Sequence, residues 1–362
     1  MGFADHYFSK QKGFIPCITD PPSEKLHYVV VIPAYCEPGL TVSLNSLWNC
    51  TRPEGHVEVI VVFNAAENAS AAVREINASS IYSAEAWIRD HSEESFRYRL
   101  IRRLDMPAKD AGVGLARKTG MDEALYRFNM LGKPEGIILS YDADSLCWKN
   151  YFTAIEDTLA IRPKIRGFDI YFEHPVSGNE FPEKVYRGSV LYELHLRYMN
   201  QFLRFAGFPF AFHTVGSCFG VRASVYAGQG GMNRRKAGED FYFLHKVIPL
   251  GNFAEINNTC VSPSPRISDR VPFGTGAAIG KFMESDEENL LTYAPECFFV
   301  LRSFFQMIGQ FYRKPDEDID TMISGLPGSL KSYLISIEAV HMISGINANC
   351  GSAVSFITRF FR

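Results

Sequence analysis

Two aspartates separated by one residue, Asp142 and Asp144, directly follow the apolar segment 136–141. Residues two apart in an extended chain point to the same side, so both carboxylates can converge on one hard cation. Acidic residues with the same spacing also occur at 316–320, in a charged stretch after a proline, where acids at a helix start are common. The first pair therefore fits a cation site, and it fits equally a helix cap formed by Asp144 or Ser145.

A second acidic pair, Glu239 and Asp240, opens the apolar segment 241–248. The helix dipole favours acids in a first helical turn by roughly 0.3–1 kcal/mol, which is a sufficient structural explanation. The functional interpretation makes one of the two a general base that accepts the proton of an attacking hydroxyl. Both interpretations predict a helix that begins here.

Two adjacent cations, Arg117 and Lys118, lie near the start of a helix that the apolar spacing predicts over residues 112–131. A helix start offers free backbone N–H groups, which bind phosphate. If this helix begins at the ligand-binding edge of a sheet, a pyrophosphate would meet N–H groups and cations together. The alternative is a solvated pair of surface charges.

The elements that must position these residues follow a regular alternation of apolar strands and helices. Strands separated by helices at this spacing predict an α/β fold with a largely parallel sheet flanked by helices. Right-handed crossovers then bring the loops after the strands to one carboxyl edge, where such sheets bind ligands. The predicted strands are Tyr28–Ala34, Val57–Phe63, Tyr98–Arg103 and Gly136–Tyr141.

The alternation changes after Trp148. From about residue 284 the chain is predicted to be mainly helical. We expect an N-terminal extension at 1–26, a catalytic domain at 27–281 and a helical C-terminal region at 282–362. The further elements predicted between them are a strand at Phe168–Phe172, a helix at Pro182–Phe205, a strand at His213–Val221 and a short helix at Gly238–Ile248.

The composition of the 362 residues excludes some classes of protein. A net charge of −3 gives no basic field for nucleic acid. Eight scattered cysteines with no C-x-x-C pair indicate a reducing, cytoplasmic compartment, and no apolar stretch predicts a membrane-spanning helix. Aromatic and basic residues at 298–313 would suit a core, a homodimer contact or peripheral contact with the inner face of a membrane.

Taken together, five segments in this order resemble family 2 glycosyltransferases of the GT-A fold. They are VVVIPAYCEP, VEVIVVFNAAEN, GVGLARKTGMDEAL, GIILSYDAD and TVGSCFGVRASVYAGQGGMNRRKAGED, and the likeness covers residues 27–250. The resemblance implies a Rossmann-like, mixed and mainly parallel sheet. It also implies a transferase, of hexosyltransferase type, that takes a nucleotide-sugar donor and a carbohydrate, small-molecule or lipid-linked acceptor.

The resemblance also implies roles for individual residues. Arg117 would contact ribose or diphosphate, Asp142 would contact ribose or the metal, and Asp144 would bind Mn²⁺ or Mg²⁺. Asp240 would be the catalytic base, and Glu239 would shape the acceptor pocket. The donor pocket would be lined by Pro33, Ala34, Tyr35 and Glu37, with Asn64 in the turn that contacts the base.

The stretch 262–276 corresponds to a flexible loop over the donor in this family, so Arg266 and Arg270 could clamp the diphosphate. A solvated surface loop is the alternative. The implied reaction is direct displacement with inversion, with the cation stabilising the leaving diphosphate. The other candidates are a retaining transferase resembling mannosylglycerate synthase and a sugar-nucleotide-binding protein without turnover. A nucleotidyltransferase is disfavoured because no G-x-G-T-R loop follows the first strand.

Overall fold

The computed structural model describes residues 2–11, 13–268, 270, 272, 274–285 and 290–362. The chain divides into two compact units, Met1–Val190 with Thr214–Asp286 and Leu191–His213 with Glu287–Arg362. All the site residues predicted from the sequence belong to the first unit. The domain boundaries near residues 26 and 281 stay predictions.

The first unit is built on an eight-stranded sheet with the order β3-β2-β1-β4-β7-β6-β8-β5. In chain order the strands are β1 Leu26–Ala34, β2 His56–Ala66, β3 Phe96–Met106, β4 Ile137–Ser140, β5 Leu146–Cys147, β6 Gly167–Phe172, β7 Phe219–Arg222 and β8 Phe253–Ser262.

The described residues also form helices. They are α1 Asp5–Lys10, α2 Leu40–Trp48, α3 Ala71–Asp90, α4 Val113–Met130, α5 Tyr151–Ile161, α6 Glu183–Ala206, α7 Ala223–Gly228, α8 Glu239–Val247, α9 Thr275–Glu284, α10 Pro295–Met307, α11 Asp316–Ser324, α12 Gly328–Ser336, α13 Ala339–Ala348 and α14 Ala353–Phe360. Short 3₁₀ turns follow α8 at Ile248–Leu250 and α10 at Ile308–Phe311.

The direction of the strands confirms the predicted fold class. Strands β1, β2, β3 and β4 pair in parallel, and so do β6 and β8. Strand β7 runs antiparallel to both β4 and β6, and β5 runs antiparallel to β8, so six of the eight strands point the same way. Strands β1 and β4 are almost entirely buried, as expected where helices cover a parallel sheet. The protein is therefore an α/β protein with a mixed, mainly parallel sheet and a helical C-terminal region.

Three local expectations are corrected by the structure. The strand expected at His213–Val221 is β7, which begins only at Phe219. Strand β8 was not predicted, because polar residues interrupt its apolar pattern. Neither Asp144 nor Ser145 caps a helix, since β5 follows them and α5 begins only at Tyr151, after Asn150.

Helix α4, which carries Arg117, is fixed by buried polar contacts instead of by one apolar face. The hydroxyl of Tyr7 donates to Asp122 Oδ1 at 2.6 Å, and Lys118 Nζ lies 2.9 Å from Asp122 Oδ2. Further along, Arg127 pairs with the buried Glu58 of β2. The Arg127–Glu58 pair, with both partners buried, specifies the position of the helix along the sheet, and the Tyr7 contact joins the helix to α1.

The second unit has a core of its own, formed by the helices from α10 onward. No helix in the described part of the chain is both long and apolar enough to span a bilayer. Membrane-surface contact, dimer formation and a cytoplasmic location stay predictions. The buried core residues are Phe304, Ile308, Phe311, Ile319, Ile323, Leu334, Ala339, Ile343, Cys350 and Phe356.

Candidate active site

The guanidinium of Arg117 connects the segments that carry the two acidic pairs. Arg117 is only 2% exposed, and its Nε donates to Glu239 Oε1 at 3.0 Å while Nη2 donates to Asp142 Oδ1 at 2.9 Å. The remaining nitrogen, Nη1, donates to the carbonyl of Gly216 at 3.1 Å and to the hydroxyl of Ser140. The end of β4, the loop before β7 and the start of α8 therefore meet at one buried charge.

Strand order explains why these segments meet. Strand β7 is the neighbour of β4, and Phe219 pairs with Ser140, so β7 begins at the edge where β4 ends. A Cβ on Gly216 would lie 3.0 Å from Asp240 Oδ2 and 3.1 Å from Arg117 Nη2. The loop before β7 thus passes close to the carboxylate of Asp240 and to the guanidinium, and a larger residue would displace one of them.

Asp240 lies in an environment that favours its protonated form. Burial, with the negative charges of Glu239 and Asp142 added, raises the pKa of Asp240 to about 7. Arg117 and the backbone N–H of Phe241, which donates to Oδ1 at 2.7 Å, act in the opposite direction. A carboxylate with a pKa near neutrality is well matched to accept a proton at neutral pH.

The same acids stabilise the positive charge of Arg117. Burial by itself would lower its pKa, but Asp142, Glu239 and Asp240 together raise the pKa above its usual value. Three carboxylates therefore share one guanidinium.

A second group of predicted site residues lies at the carboxyl end of β1. Glu37 is buried, and Arg266 donates to its two oxygens at 2.7 and 2.6 Å. Arg270 donates to Glu37 Oε1 at 2.6 Å, and its guanidinium lies 5.4 Å from the ring centre of Tyr35. Arg266 Nε also lies 2.8 Å from Asp144 Oδ2. Four residues of the predicted donor pocket and the predicted metal ligand Asp144 are thus in contact.

Asp142 and Asp144, the predicted ligands of a divalent cation, each contact an arginine in the structure. Burial and the charges of Asp142 and Glu37 raise the pKa of Asp144 to about 6, although Arg266 lowers it. In the described residues, no three His, Cys, Asp or Glu side chains converge on a point suited to a metal. Mg²⁺ is commonly held by one or two carboxylates, with substrate phosphates and waters completing its shell. The donor set therefore suits a shared site, and the metal itself stays a prediction.

The predicted base-contacting residue Asn64 makes contacts within the protein. It is 3% exposed, and its amide donates to the carbonyl of Ala34 at 2.9 Å. Asn77 of α3 donates to the carbonyl of Asn64 at 3.1 Å and accepts the N–H of Cys36 at 2.9 Å. Cys36 has a φ of 52°, so this amide chain holds a left-handed turn after β1. A base contact by Asn64 stays a prediction.

Three residues of the site were not recognised from the sequence: Ser140, Gly216 and Asn77. Ser140 is the one polar residue of β4, which is a signal that could have been used. Asn77 lies in a polar helix and shows no such signal. The acidic residues at 316–320 lie in the first turns of α11, in the second unit, which confirms their interpretation as a helix start.

Comparison with known proteins gives matches at the level of structure only. No protein-family model matches the chain, and no curated protein matches it. The structure of S. aureus TarS 1-349 in complex with UDP-GlcNAc is 14% identical, with a TM-score of 0.46 over 84% of this chain and 83% of that one. TarS 1-349 in complex with UDP is 14% identical, with a TM-score of 0.43 over 82% and 78%. Similarity this low assigns no function, so function must be inferred from the site itself.

Proposed function

We propose that this protein is a glycosyltransferase that moves a sugar from a nucleotide-sugar donor to an acceptor hydroxyl. One observation carries the proposal: the Arg117 guanidinium joins Asp142, on the donor side, to Glu239, the neighbour of Asp240. A transferase needs its donor site and its proton acceptor within one cleft, because the two substrates react directly. Asp142 and Glu239 bond to the same guanidinium although nearly a hundred residues separate them, and this supports a shared cleft.

The donor side is suited to a diphosphate. Arg266 and Arg270 supply planar guanidinium groups, which bind phosphate oxygens in pairs. Arg117 is 2% exposed and holds Asp142. Tyr35 offers an aromatic surface beside Arg270. Asp142 and Asp144 would hold Mn²⁺ or Mg²⁺, which neutralises the negative charge on the leaving diphosphate.

On the acceptor side, Asp240 is the proposed general base. Its carboxylate takes the proton of the acceptor hydroxyl while that oxygen forms a bond to the anomeric carbon of the sugar. The bond from this carbon to the diphosphate oxygen breaks, and the nucleoside diphosphate leaves with the electron pair. Attack from the opposite face inverts the anomeric configuration. Glu239, held by Arg117, shapes the wall beside the base.

The test begins with a donor. A thermal-shift screen of UDP-, GDP-, CDP- and dTDP-sugars, with and without Mn²⁺, identifies the nucleotide that binds. With that donor, Asp240→Asn should reduce sugar transfer, or release of nucleoside diphosphate to water, by about 10²–10⁴. Donor affinity should stay unchanged, because Asn keeps the size of the side chain. Asp318→Asn, in α11 of the second unit, is the matched control and should retain full turnover.

Two results would count against this assignment. Equal turnover of Asp240→Asn and the parent would show that Asp240 is not the base. A product that keeps the anomeric configuration of the donor, determined by NMR, would indicate a retaining enzyme in which Asp240 orients the acceptor.

A further inference from the structure

Arg266 lies between two carboxylates that the proposed function assigns to the donor and to the cation. Its Nη1 and Nη2 donate to the two oxygens of Glu37, at 2.7 and 2.6 Å. Its Nε lies 2.8 Å from Asp144 Oδ2. Every nitrogen of the guanidinium therefore faces a carboxylate of the protein.

This arrangement has a consequence for binding. The guanidinium covers the Asp144 oxygen Oδ2, to which a divalent cation would bind, and two positive charges at one oxygen would repel each other. A cation that binds this oxygen therefore competes with Arg266.

Arg270 differs from Arg266 in its partners. It donates to Glu37 Oε1 and to the carbonyl of Cys36, at 2.6 and 3.3 Å, and its guanidinium lies 5.4 Å from the ring centre of Tyr35. Within the described residues, no contact between Arg270 and Asp144 is found. The two arginines belong to the same loop and carry the same charge, so Arg270 controls for the loss of a positive charge without the contact with Asp144.

We propose that Arg266 occupies the cation site at Asp144 until the donor binds, and that it then exchanges with a divalent cation. In the free protein its guanidinium supplies the positive charge that Asp144 needs. When a nucleoside diphosphate binds, Arg266 moves to the phosphate oxygens, and a divalent cation takes its place on Asp144. Cation and donor then bind together, each raising the affinity for the other by the same factor. This inference rests on the proposed function and adds the order in which its ligands bind.

The driving force is the cost of an unpaired carboxylate. Arg266 Nε lies 2.8 Å from Asp144 Oδ2, and the same guanidinium also pairs with Glu37. A partly buried carboxylate that loses its partner is destabilised, so departure of Arg266 favours the entry of another cation. The exchange replaces one cationic partner by another and leaves no intermediate with an unpaired charge.

The experiment measures Mn²⁺ binding to the full-length, donor-free protein by the EPR signal of free Mn²⁺. Arg266→Ala should raise the affinity for Mn²⁺ about five-fold or more, because the competing guanidinium is gone. Arg270→Ala, the matched control, should stay within about two-fold of the parent. Adding Asp144→Asn to Arg266→Ala should abolish the gain, and circular dichroism confirms that each variant is folded.

The possible outcomes separate this inference from the proposed function. An unchanged Mn²⁺ affinity in Arg266→Ala overturns the exchange. Equal gains in Arg266→Ala and Arg270→Ala also overturn it, since they would show only a general effect of charge. Absence of Mn²⁺ binding in every variant removes both the exchange and the metal role, whereas the role of Asp240 as base is decided separately by turnover of Asp240→Asn.

Discussion

At the scale of single residues, the surroundings of Asp240, the proposed base, make its carboxylate a better proton acceptor than an ordinary carboxylate. Burial and two neighbouring acids raise its pKa to about 7, while Arg117 prevents a larger rise. An isolated aspartate with a pKa of 3.8 would be a weak base for a hydroxyl. The strength of the base is therefore set by the balance of charges around one guanidinium.

The first prediction concerns Glu239→Gln. This change removes the negative charge next to Asp240 and leaves Arg117 freer to stabilise the Asp240 carboxylate, so the pKa of Asp240 should fall. In the pH profile of kcat/KM, the acidic limb reports the free enzyme's base, and it should move to lower pH. Donor turnover measured from pH 5 to pH 9 checks this. An acidic limb at the same pH in both proteins would contradict the assignment.

The second prediction concerns the stability of the ligand-free protein. The pKa of Asp240 is higher in the folded than in the unfolded chain, so the folded state holds a proton more tightly. Stability is therefore lost as pH rises from about 4 through about 7. Asp240→Asn removes this penalty and should stabilise the protein more at pH 8 than at pH 5, by about 2 kcal/mol. Urea unfolding at both pH values measures it, and an effect independent of pH would refute the raised pKa.

At the scale of elements, α4 determines where Arg117 stands. Its buried partners include Tyr7 from α1 and Glu58 from β2, and its first turn lies against the segment before α8. A Cβ on Gly114 would lie 2.0 Å from the carbonyl oxygen of Arg235, closer than any real contact. The glycine thus permits a backbone approach that keeps α4 and α8 at the distance the site requires.

The third prediction follows from this close approach. Gly114→Ala should push the segment around Arg235 away from α4, lower turnover at least about ten-fold and destabilise the protein by about 1–3 kcal/mol. Gly345→Ala in α13 is the matched control, because no heavy atom of the described residues, apart from its chain neighbours and its own helix backbone, lies within 4 Å of its added Cβ. That control should stabilise the protein by about 0.5–1 kcal/mol, as Ala is the better helix former. Thermal unfolding measures the stability of both variants, and donor turnover measures their activity. Full turnover of Gly114→Ala would show that the close approach of α4 to Arg235 is not needed.

At the scale of the whole molecule, the chain has two units, each with a hydrophobic core. Compact parts with separate cores commonly unfold separately. The three tryptophans, Trp48, Trp87 and Trp148, all belong to the first unit. Tryptophan fluorescence therefore reports on the first unit, whereas circular dichroism reports on the helices of both.

The fourth prediction uses this distribution. Phe356 is fully buried in the second unit's core, and Phe356→Ala should destabilise that unit by about 3–5 kcal/mol. In urea, part of the circular dichroism signal should then be lost before tryptophan fluorescence changes. Val354→Ala in the same helix, at a residue 75% exposed, should leave both transitions in place. A joint shift of both signals in Phe356→Ala would show that the units unfold as one cooperative body.

The sequence by itself determined the elements whose signal is local. Strands β1, β2 and β4 are continuous apolar runs, and α4 follows its predicted bounds within a residue at each end. The sequence also placed one acidic pair at the end of β4 and the other at the start of α8. Both placements follow from local signals, because the adjoining strand and helix are recognisable from their apolar residues. Strand β8 was missed, since its exposed middle interrupts the pattern from which strands are recognised.

Only the tertiary structure decided which charges meet. Arg117 and Glu239 are 122 residues apart, and Arg266 and Glu37 are 229 apart, so no local pattern could pair them. Their meeting depends on strand order, which places β7 next to β4 and brings the loops at the carboxyl edge together. The raised pKa of Asp240 arises from burial and from the adjacent Glu239, and the non-local charges of Arg117 and Asp142 adjust it. It is a property of the folded arrangement, because a side chain's proton affinity depends on the charges and burial around it in space.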